Sequence, residues 1–330
     1  MKKPLITNYP SLKLVAAGLI VMFAAGCSKK QVASIDSTVT EEHVRTVITT
    51  LASDNMMGRS AMQPDHIDKA AEFISGQFRE IGLETFNGLS SYRQEFQPSD
   101  ARLPKMANVV GVIRGKSKPD EYVIFSAHYD HIGIQGNQAD SIANGADDDA
   151  SGTTAVIELA KYFKASNNNE RSLIFVTFTA EEIGGFGSKY FSEQMNPDKV
   201  VAMFNIEMIG KPSKWGQNAA FITGFERSDF GTILQKNVKG TPFQFQPDPY
   251  PEQQLFYRSD NARLAMQGVP AHSISTDQID SDKLYHTVDD EVESLDMKNI
   301  VAAIKAIALG SRSIVSGEDT PTRIPKRQGK

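Results

Sequence analysis

The 330-residue sequence contains a single cysteine, Cys27. No disulfide can form within the chain, so the fold must be stable without a covalent cross-link. The sequence also lacks a long hydrophobic run. The apolar stretch between Leu14 and Ala25 has about a dozen residues, whereas a helix needs about 20 to cross a bilayer core. We therefore expect no retained transmembrane helix.

The chain has no excess of positive charge, because 35 lysines and arginines face 40 acidic residues and the net charge is −5. Residues 1–26 contain three lysines and no acidic residue, so their removal would change the net charge to −8. A negative surface argues against binding nucleic acid, and against binding anionic lipid through charge. The hydrophobic fraction of 40% and the charged fraction of 23% are ordinary for a globular protein.

The N-terminus has the layout of a secretory signal. Lysines precede the apolar stretch, which ends in the small residues Ala24-Ala-Gly before Cys27. This ending resembles the bacterial lipoprotein signal, in which the cysteine is lipidated and becomes the first residue of the mature chain. Ala24 stands where that signal usually has leucine, and Ser28 fits sorting to an outer membrane.

From this resemblance we expect residues 1–26 to be a signal peptide. Residues 27–38 would then be the lipidated Cys27 and a polar tether. The expected location is the cell envelope, at an outer membrane facing the periplasm, with the lipid as the only membrane link.

The rest of the chain alternates apolar strands with amphipathic helices, which predicts an α/β fold. We expect a mixed, largely parallel central sheet flanked by helices on both faces, in a single catalytic domain over residues 39–316. Residues 317–330 are polar and contain proline, which predicts a disordered tail. The predicted strands are 107–115, 122–127, 173–178, 200–209, 220–225 and 271–276, and the predicted helices are 41–51, 65–81, 151–165 and 296–309.

His128 and Asp130 follow the apolar strand 122–127 directly. Ligands in α/β proteins bind beyond the carboxyl ends of such strands. Residues two apart on an extended chain share a face, so both side chains should project together. A metal-bound imidazole needs a partner for its second nitrogen, and a carboxylate is a frequent choice.

Further acids and a histidine stand where other strands or loops should end. They are one aspartate of Asp147–Asp149, the pair Glu181 and Glu182, Glu207, and His286. Two imidazoles and three carboxylates offer the nitrogen and oxygen ligands that suit zinc, and manganese or cobalt can use them as well. His131 and His272 are interpreted as structural or as lining a pocket.

Taken together, five motifs occur in a characteristic order: His-x-Asp, Gly-Ala-Asp-Asp-x-Ala-Ser-Gly, Ala-Glu-Glu-x-Gly, an acid before Met, and a late Tyr-His-Thr. This order resembles the co-catalytic dizinc exopeptidases, metallopeptidase family twenty-eight. Bacterial leucyl aminopeptidases, glutamate carboxypeptidases and glutaminyl cyclases belong to that family. The likeness extends from about Glu41 to Leu309 and implies a zinc exopeptidase fold of the phosphorylase/hydrolase-like type.

The resemblance also implies roles for individual residues. His128 and Glu207 would bind one zinc ion, Glu182 and His286 the other, and Asp148 would bridge the two. Many relatives have aspartate where this chain has Glu207.

Five further residues would support the reaction or the ligands. Glu181 matches the general base, and Tyr285 resembles a tyrosine that polarises the substrate carbonyl. Asp130 would be the carboxylate partner of the His128 imidazole. Asp260 would support the site or pack near it. Asp289 would support the loop of His286 or only form a turn.

The expected function is removal of N-terminal residues from peptides by a hydroxide that bridges two Zn²⁺ ions, with Glu181 as general base. Three alternatives stay open. A carboxypeptidase or dipeptidase could use the same site, and Arg258 would suit its substrate carboxylate. A glutaminyl cyclase-like acyltransferase uses one zinc and has no need of His128. A lipoprotein could bind peptide or metal without turnover. The sequence leaves the oligomeric state open.

Overall fold

The computed structural model describes residues 34–137 and 139–327, together with Met1, Lys2, Pro4, Leu5 and Thr7. Residues 32–330 form one unit, and residues 1–31 form another. Cys27 and nearly all of the predicted signal peptide lie outside the described residues. In the described ranges, no helix has the length and apolar character needed to cross a membrane.

Nine strands of the described chain form one mixed sheet. In its centre, β4 (Lys118–His128) runs parallel to β7 (Arg171–Phe178) on one side and to β8 (Val200–Ile206) on the other. The next strand, β11 (Ala271–Ser275), is parallel to β8. On the far side, β3 (Met106–Ile113) is antiparallel to β7.

Short strands complete the edges. One edge has β1 (Glu84–Thr85) and β2 (Arg93–Phe96), both antiparallel to β3. The other has β9 (Ala219–Ile222), antiparallel to β11, and β10 (Gln244–Pro247), parallel to β9. A separate hairpin is formed by β5 (Gly133–Ile134) and β6 (Ile142–Ala143).

Helices cover both faces of the sheet because the apolar strands bury side chains in both directions. In β4, Val123 and Phe125 belong to one core and Ile124 to the other. The alternation follows from the two-residue period of a strand. The helices are α1 (Ile35–Thr38), α2 (Glu41–Leu51), α3 (Pro64–Ile81), α4 (Gly152–Ser166), α5 (Phe186–Glu193), α6 (Phe230–Asn237), α7 (Asn261–Met266), α8 (Met297–Gly310) and α9 (Arg312–Val315).

The two cores have distinct helical partners. The larger core takes the apolar stripes of α2, α3, α4, α6 and α8, and the smaller takes those of α5 and α7. Phe125 lies at the middle of the larger core, stacked on Phe163 of α4 and on its sheet neighbours Phe175 and Phe204. The predicted α/β sheet with helices on both faces is confirmed.

Predicted helix boundaries agree with the structure to within a residue or two. Asp296 accepts hydrogen bonds from the backbone N–H groups at 298 and 299, as expected of a residue that caps α8. Gly82 ends α3 in the left-handed conformation, with φ of 78°. The prediction that Asp65 caps α3 differs from the structure, since the helix begins one residue earlier at Pro64.

Both ends of the predicted domain differ from the composition-based expectation. At the N-terminal end, the predicted tether contains α1, and Val39 directly after it is fully buried. At the C-terminal end, residues 317–327 are packed rather than loose: Ile324 is buried in the smaller core, and its N–H donates to the carbonyl of Gly268. The polar composition of this segment could not predict its packing, because the packing depends on one apolar side chain and a few backbone hydrogen bonds.

Candidate metal centre

Three strands place the candidate ligands at one edge of the sheet. His128 is the last residue of β4, Glu181 and Glu182 follow β7, and Glu207 follows β8. These strands are parallel, so their carboxyl ends meet at one edge of the sheet. Residues from three separate parts of the sequence are brought together in this way.

The first ligand group surrounds the Nε2 atom of His128. This atom lies 3.2 Å from Oδ1 of Asp148 and 3.4 Å from Oε1 of Glu207. His128 and Asp148 are buried, and Glu207 is only partly exposed.

The second group surrounds the Nε2 atom of His286. It lies 3.2 Å from Oδ2 of Asp148 and 2.9 Å from Oε2 of Glu182. The two oxygens of Asp148 therefore face different histidines, which is the arrangement that a carboxylate shared by two metal ions needs. His286 itself has a positive φ of 58°, so its backbone conformation is an uncommon one for a residue with a side chain.

The spacing within both groups is near that of zinc ligands. Ligand atoms about 2.0–2.2 Å from a tetrahedral metal are about 3.3–3.6 Å from one another. The distance of 3.4 Å lies in that range, the two distances of 3.2 Å lie just below it, and the 2.9 Å between His286 and Glu182 is shorter. The set of nitrogen and carboxylate ligands suits the same ion.

Charge in this cluster favours a cation. Burial disfavours the charged form of His128, yet hydrogen bonds to Asp148 and Glu207 raise its pKa well above the usual value. Hydrogen bonds to Asp148 and Glu182 raise the pKa of His286 to about 10. The carboxylates thus create a negative potential that stabilises positive charge between them.

Asp130 supports the site differently from the expectation. Its carboxylate Oδ1 is 3.7 Å from Nδ1 of His128, too far for a hydrogen bond, whereas its backbone carbonyl is 3.1 Å from that nitrogen. The carboxylate instead accepts the backbone N–H groups of Glu181, at 3.1 Å, and Glu182, at 3.4 Å. Asp130 therefore orients the imidazole with its main chain and the two glutamates with its side chain.

Asp290, rather than Asp289, supports the backbone at Asp148. The carboxylate of Asp290 is buried and accepts the backbone N–H groups of Asp147 and Asp148 at 3.0–3.1 Å. Asp289 is exposed and makes a turn contact through its N–H with Thr287. Sequence reasoning considered only Asp289 because neighbouring aspartates carry no signal of which one points inward.

Glu207 is held by Asn205 and Ser259. The side-chain amide of Asn205 donates to Oε2 of Glu207 at 3.1 Å, and the hydroxyl of Ser259 donates to the same oxygen. Asp260, predicted to support the site, is buried but makes no side-chain hydrogen bond to a ligand residue within the described chain. Burial raises its pKa to about 7.

His131 has a supporting role that the sequence left open. It is buried, and its Nδ1 lies 3.0 Å from Oε1 of Glu182, whereas His286 contacts Oε2 of the same carboxylate. Its ring packs against Gly145, where a Cβ would lie only 2.5 Å from the ring carbon Cγ. Glycine before the acidic loop is thus required by close approach as well as by its φ of 55°. His272 is structural, as expected: burial lowers its pKa to about 4.

Glu181 and Tyr285 line a cavity beside the ligands. Burial raises the pKa of Glu181 well above its ordinary value, while the nearby imidazole of His128 lowers it. Tyr285 stacks on His286 with 3.9 Å between ring centroids. Burial raises its pKa as well, so the phenol keeps its proton and can donate a hydrogen bond. Apolar side chains form part of the cavity wall: Met208, Phe221, Leu255 and Ile279.

A second buried acidic group lies next to the first and was missed. Asp147, Asp277 and Asp282 bring carboxylate oxygens within 4.8 Å of one another. The ammonium group of Lys211 lies 2.6 Å from Asp282 and 3.3 Å from Asp147, so it already provides the cation for this group. Burial raises the pKa of Asp277 to about 8.

Residues 108–310 match the model of Peptidase family M28. A protein of Trichophyton verrucosum described as a probable leucine aminopeptidase is 30% identical over 216 residues, 62% of this chain and 55% of that protein. A probable zinc metalloprotease of Leptosphaeria maculans is 25% identical over 191 residues, 55% of this chain and 44% of that protein. The chain thus spans about half the length of these relatives.

Solved structures share the fold. BSAP, a zinc aminopeptidase from Bacillus subtilis, is similar with a TM-score of 0.67 at 12% identity, over 90% of this chain and 100% of that chain. A Porphyromonas gingivalis glutaminyl cyclase is similar with a TM-score of 0.66 at 15% identity, over 84% of this chain and 99% of that chain. At such low identity the likeness is one of architecture.

Proposed function

The chain belongs to peptidase family M28, and from this membership we propose that it is a zinc-dependent exopeptidase that removes N-terminal residues from peptides. One observation carries the proposal: Asp148 turns one oxygen to His128 and the other to His286. The relatives described as a zinc metalloprotease and a leucine aminopeptidase support the same reaction class.

Two metal positions are proposed. His128, Asp148 and Glu207 would hold one zinc ion. Asp148 would hold a second together with Glu182 and His286. When bound, such ions lower the pKa of water and polarise the substrate carbonyl.

The remaining chemistry falls to side chains of the chain. The Glu181 carboxylate takes a proton from the attacking water as the new carbon–oxygen bond forms. It then delivers that proton to the nitrogen of the leaving amine as the carbon–nitrogen bond breaks. The phenol of Tyr285 donates a hydrogen bond to the carbonyl oxygen as negative charge develops there. The apolar part of the cavity would receive the side chain of the N-terminal residue.

Matched peptides test the direction of cleavage. The zinc-loaded protein is incubated with peptides of one sequence, half of them acetylated at the N-terminus, and the products are followed by mass spectrometry. Stepwise loss from free N-termini alone is expected. Trimming from the C-terminus regardless of acetylation would contradict the proposal and favour the carboxypeptidase. Cyclisation of N-terminal glutamine would favour the acyltransferase, and no change at all would favour a binding protein.

Metal analysis tests the cofactor independently of turnover. Two zinc ions per chain are expected, and Asp148→Ala should lose both metal and folding stability, because binding energy of the ions contributes to folding. If that variant still binds two ions, the bridging role is wrong. Manganese or cobalt found in place of zinc would change the ion but not the ligands.

We further propose that the protein is anchored by lipid on Cys27 in the cell envelope. The support is the signal-like sequence before Cys27. Cys27→Ser should move the protein from the membrane fraction to the soluble fraction. Continued sedimentation with membranes would contradict a lipid anchor.

A further inference from the structure

One positive charge lies in the wall of the cavity that receives the substrate. The carboxylates that line this cavity, at positions 148, 181, 182 and 207, are those assigned to the metal ions and to the proton transfer. The carboxylate of Asp277 is buried and lies beside Asp147 and Asp282. Arg258, by contrast, also lines the cavity and is exposed.

Most hydroxyl groups of the cavity wall already donate within the protein. Ser259 donates to Glu207, Ser273 to the side-chain oxygen of Asn261, and Ser275 to the carbonyl of Met208. These groups cannot turn to a ligand without breaking a hydrogen bond. The guanidinium of Arg258, unlike these hydroxyls, keeps unused donors, and among the cavity-lining residues it is the cationic one.

The hydrogen bonds of Arg258 use one edge of the guanidinium. Its Nη1 donates to the side-chain oxygen of Gln253 at 3.1 Å and more weakly to the Gln253 carbonyl at 3.5 Å. Within the described chain, no carboxylate lies within ion-pair distance of Arg258, and its Nε and Nη2 atoms make no hydrogen bond. These two atoms form the fork that binds a carboxylate through two parallel hydrogen bonds.

The backbone fixes Arg258 next to the metal centre. Its N–H donates to the carbonyl of Leu255 at 3.0 Å, and α7 begins three residues after it. The next residue, Ser259, is attached to Glu207 and to Asn205. Arg258 lines the same cavity as the candidate ligands Asp148 and Glu207, so a peptide bound in this cavity can contact both.

We propose that Arg258 binds a carboxylate of the substrate and so selects acidic peptides among those that the site can cleave. Two sources offer this group: the acidic side chain of the N-terminal residue, or the C-terminal carboxylate of a very short peptide. The inference deepens the proposed function and rests on it for the identity of the ligand as a peptide.

Three dipeptides separate the two sources. Leu-Gly-amide has no carboxylate, Glu-Gly-amide has one on its side chain, and Leu-Gly has one at its C-terminus. Their dissociation constants are measured by calorimetry in the zinc-loaded Glu181→Gln protein, in which turnover is expected to be strongly slowed. The measurement is repeated after adding Arg258→Gln, Arg258→Lys, or the control Arg45→Gln, an exposed arginine outside the cavity lining.

Arg258→Gln should raise the dissociation constant of one of the two peptides that carry a carboxylate by about 10- to 100-fold. This is the usual effect of losing hydrogen bonds to a charged group. The dissociation constant of Leu-Gly-amide should change less than about twofold. Arg258→Lys should recover part of the lost affinity, because lysine keeps the positive charge but lacks the paired donors of the guanidinium. The peptide that responds identifies the source of the carboxylate.

Equal weakening of all three peptides, or no weakening of any, would overturn the role of Arg258. The zinc content of each variant is measured at the same time, and an unchanged content shows that the metal centre is intact. Hydrolysis is tested separately with the chain that keeps Glu181. Absence of hydrolysis with selective binding retained would refute the exopeptidase but leave the carboxylate site standing.

Discussion

Replacement of Lys211 by methionine tests how the loop with His286 is held to the metal centre. Lys211 is the cation shared by Asp147, next to the bridging residue, and Asp282, four residues before His286. Its side chain is only 18% exposed, so the two contacts are poorly screened by water. Methionine keeps the length of the side chain and removes the charge.

The size of the effect follows from the distances. Contacts of 2.6 and 3.3 Å correspond to about 6 and about 5 kcal/mol of attraction at an effective dielectric constant of about 20. Transfer of the ammonium out of water offsets several kcal/mol of this attraction. Removing one partner of a buried pair costs about 3–5 kcal/mol, because the carboxylates are left unpaired. We therefore expect a loss of about 3 kcal/mol in the free energy of unfolding.

Urea unfolding of the zinc-free protein measures this loss without a contribution from metal binding. The control is Lys298→Met, an exposed lysine of α8 without an ion pair in the described chain, for which a change within about 0.5 kcal/mol is expected. Calcium prefers carboxylate ligands, so millimolar Ca²⁺ should stabilise Lys211→Met by more than it stabilises the wild type. Equal urea midpoints for Lys211→Met and the wild type would refute the reasoning.

Three further predictions concern single carboxylates. Glu181→Gln should retain both metal ions and lose about 100- to 10,000-fold in kcat; unchanged turnover, measured on metal-quantified protein, would remove Glu181 as the base. Asp290→Asn should weaken metal binding by about 10- to 100-fold, whereas Asp289→Asn, at an exposed position, should not. Competition with a chelator measures the metal affinity of both variants. Burial raises the pKa of Glu158, whose carboxylate contacts His43. The folded chain therefore binds the proton of this carboxyl group more tightly than the unfolded chain does. The free energy of unfolding consequently falls as the pH rises above about 4.5, the ordinary pKa of glutamate. Glu158→Gln should therefore stabilise the protein more at pH 8 than at pH 5, and an equal gain in melting temperature at both pH values would speak against it.

Most of the sheet could be predicted because its central strands contain apolar runs. β4 and β7 face a core on both sides, and such strands appear in the sequence as consecutive apolar residues, here 122–125 and 173–176. The short edge strands β1, β2 and β10 were missed, as were α5, α6 and α7. They contain few apolar residues each, and their conformation depends on the strands and helices on which they pack.

The candidate ligands could be predicted because each follows a strand end or lies in a distinctive motif. Their partners could not. Asp290 rather than Asp289, the carbonyl rather than the carboxylate of Asp130, and His131 beside Glu182 are all decided by which way a side chain points. Directions of this kind depend on packing between segments far apart in the chain.

The sequence by itself determined the α/β class, the family resemblance and the residues able to bind zinc, because these depend on local hydrophobic period and on short motifs. Only the tertiary structure decided that Asp148 turns its oxygens to two histidines, that Lys211 joins two loops, and that Arg258 lines the cavity while one edge of its guanidinium makes no hydrogen bond within the described chain. The physical reason is that a hydrogen bond or ion pair requires a distance of about 3 Å and a suitable direction. Residues separated by tens of positions meet those conditions only once the sheet has brought them together.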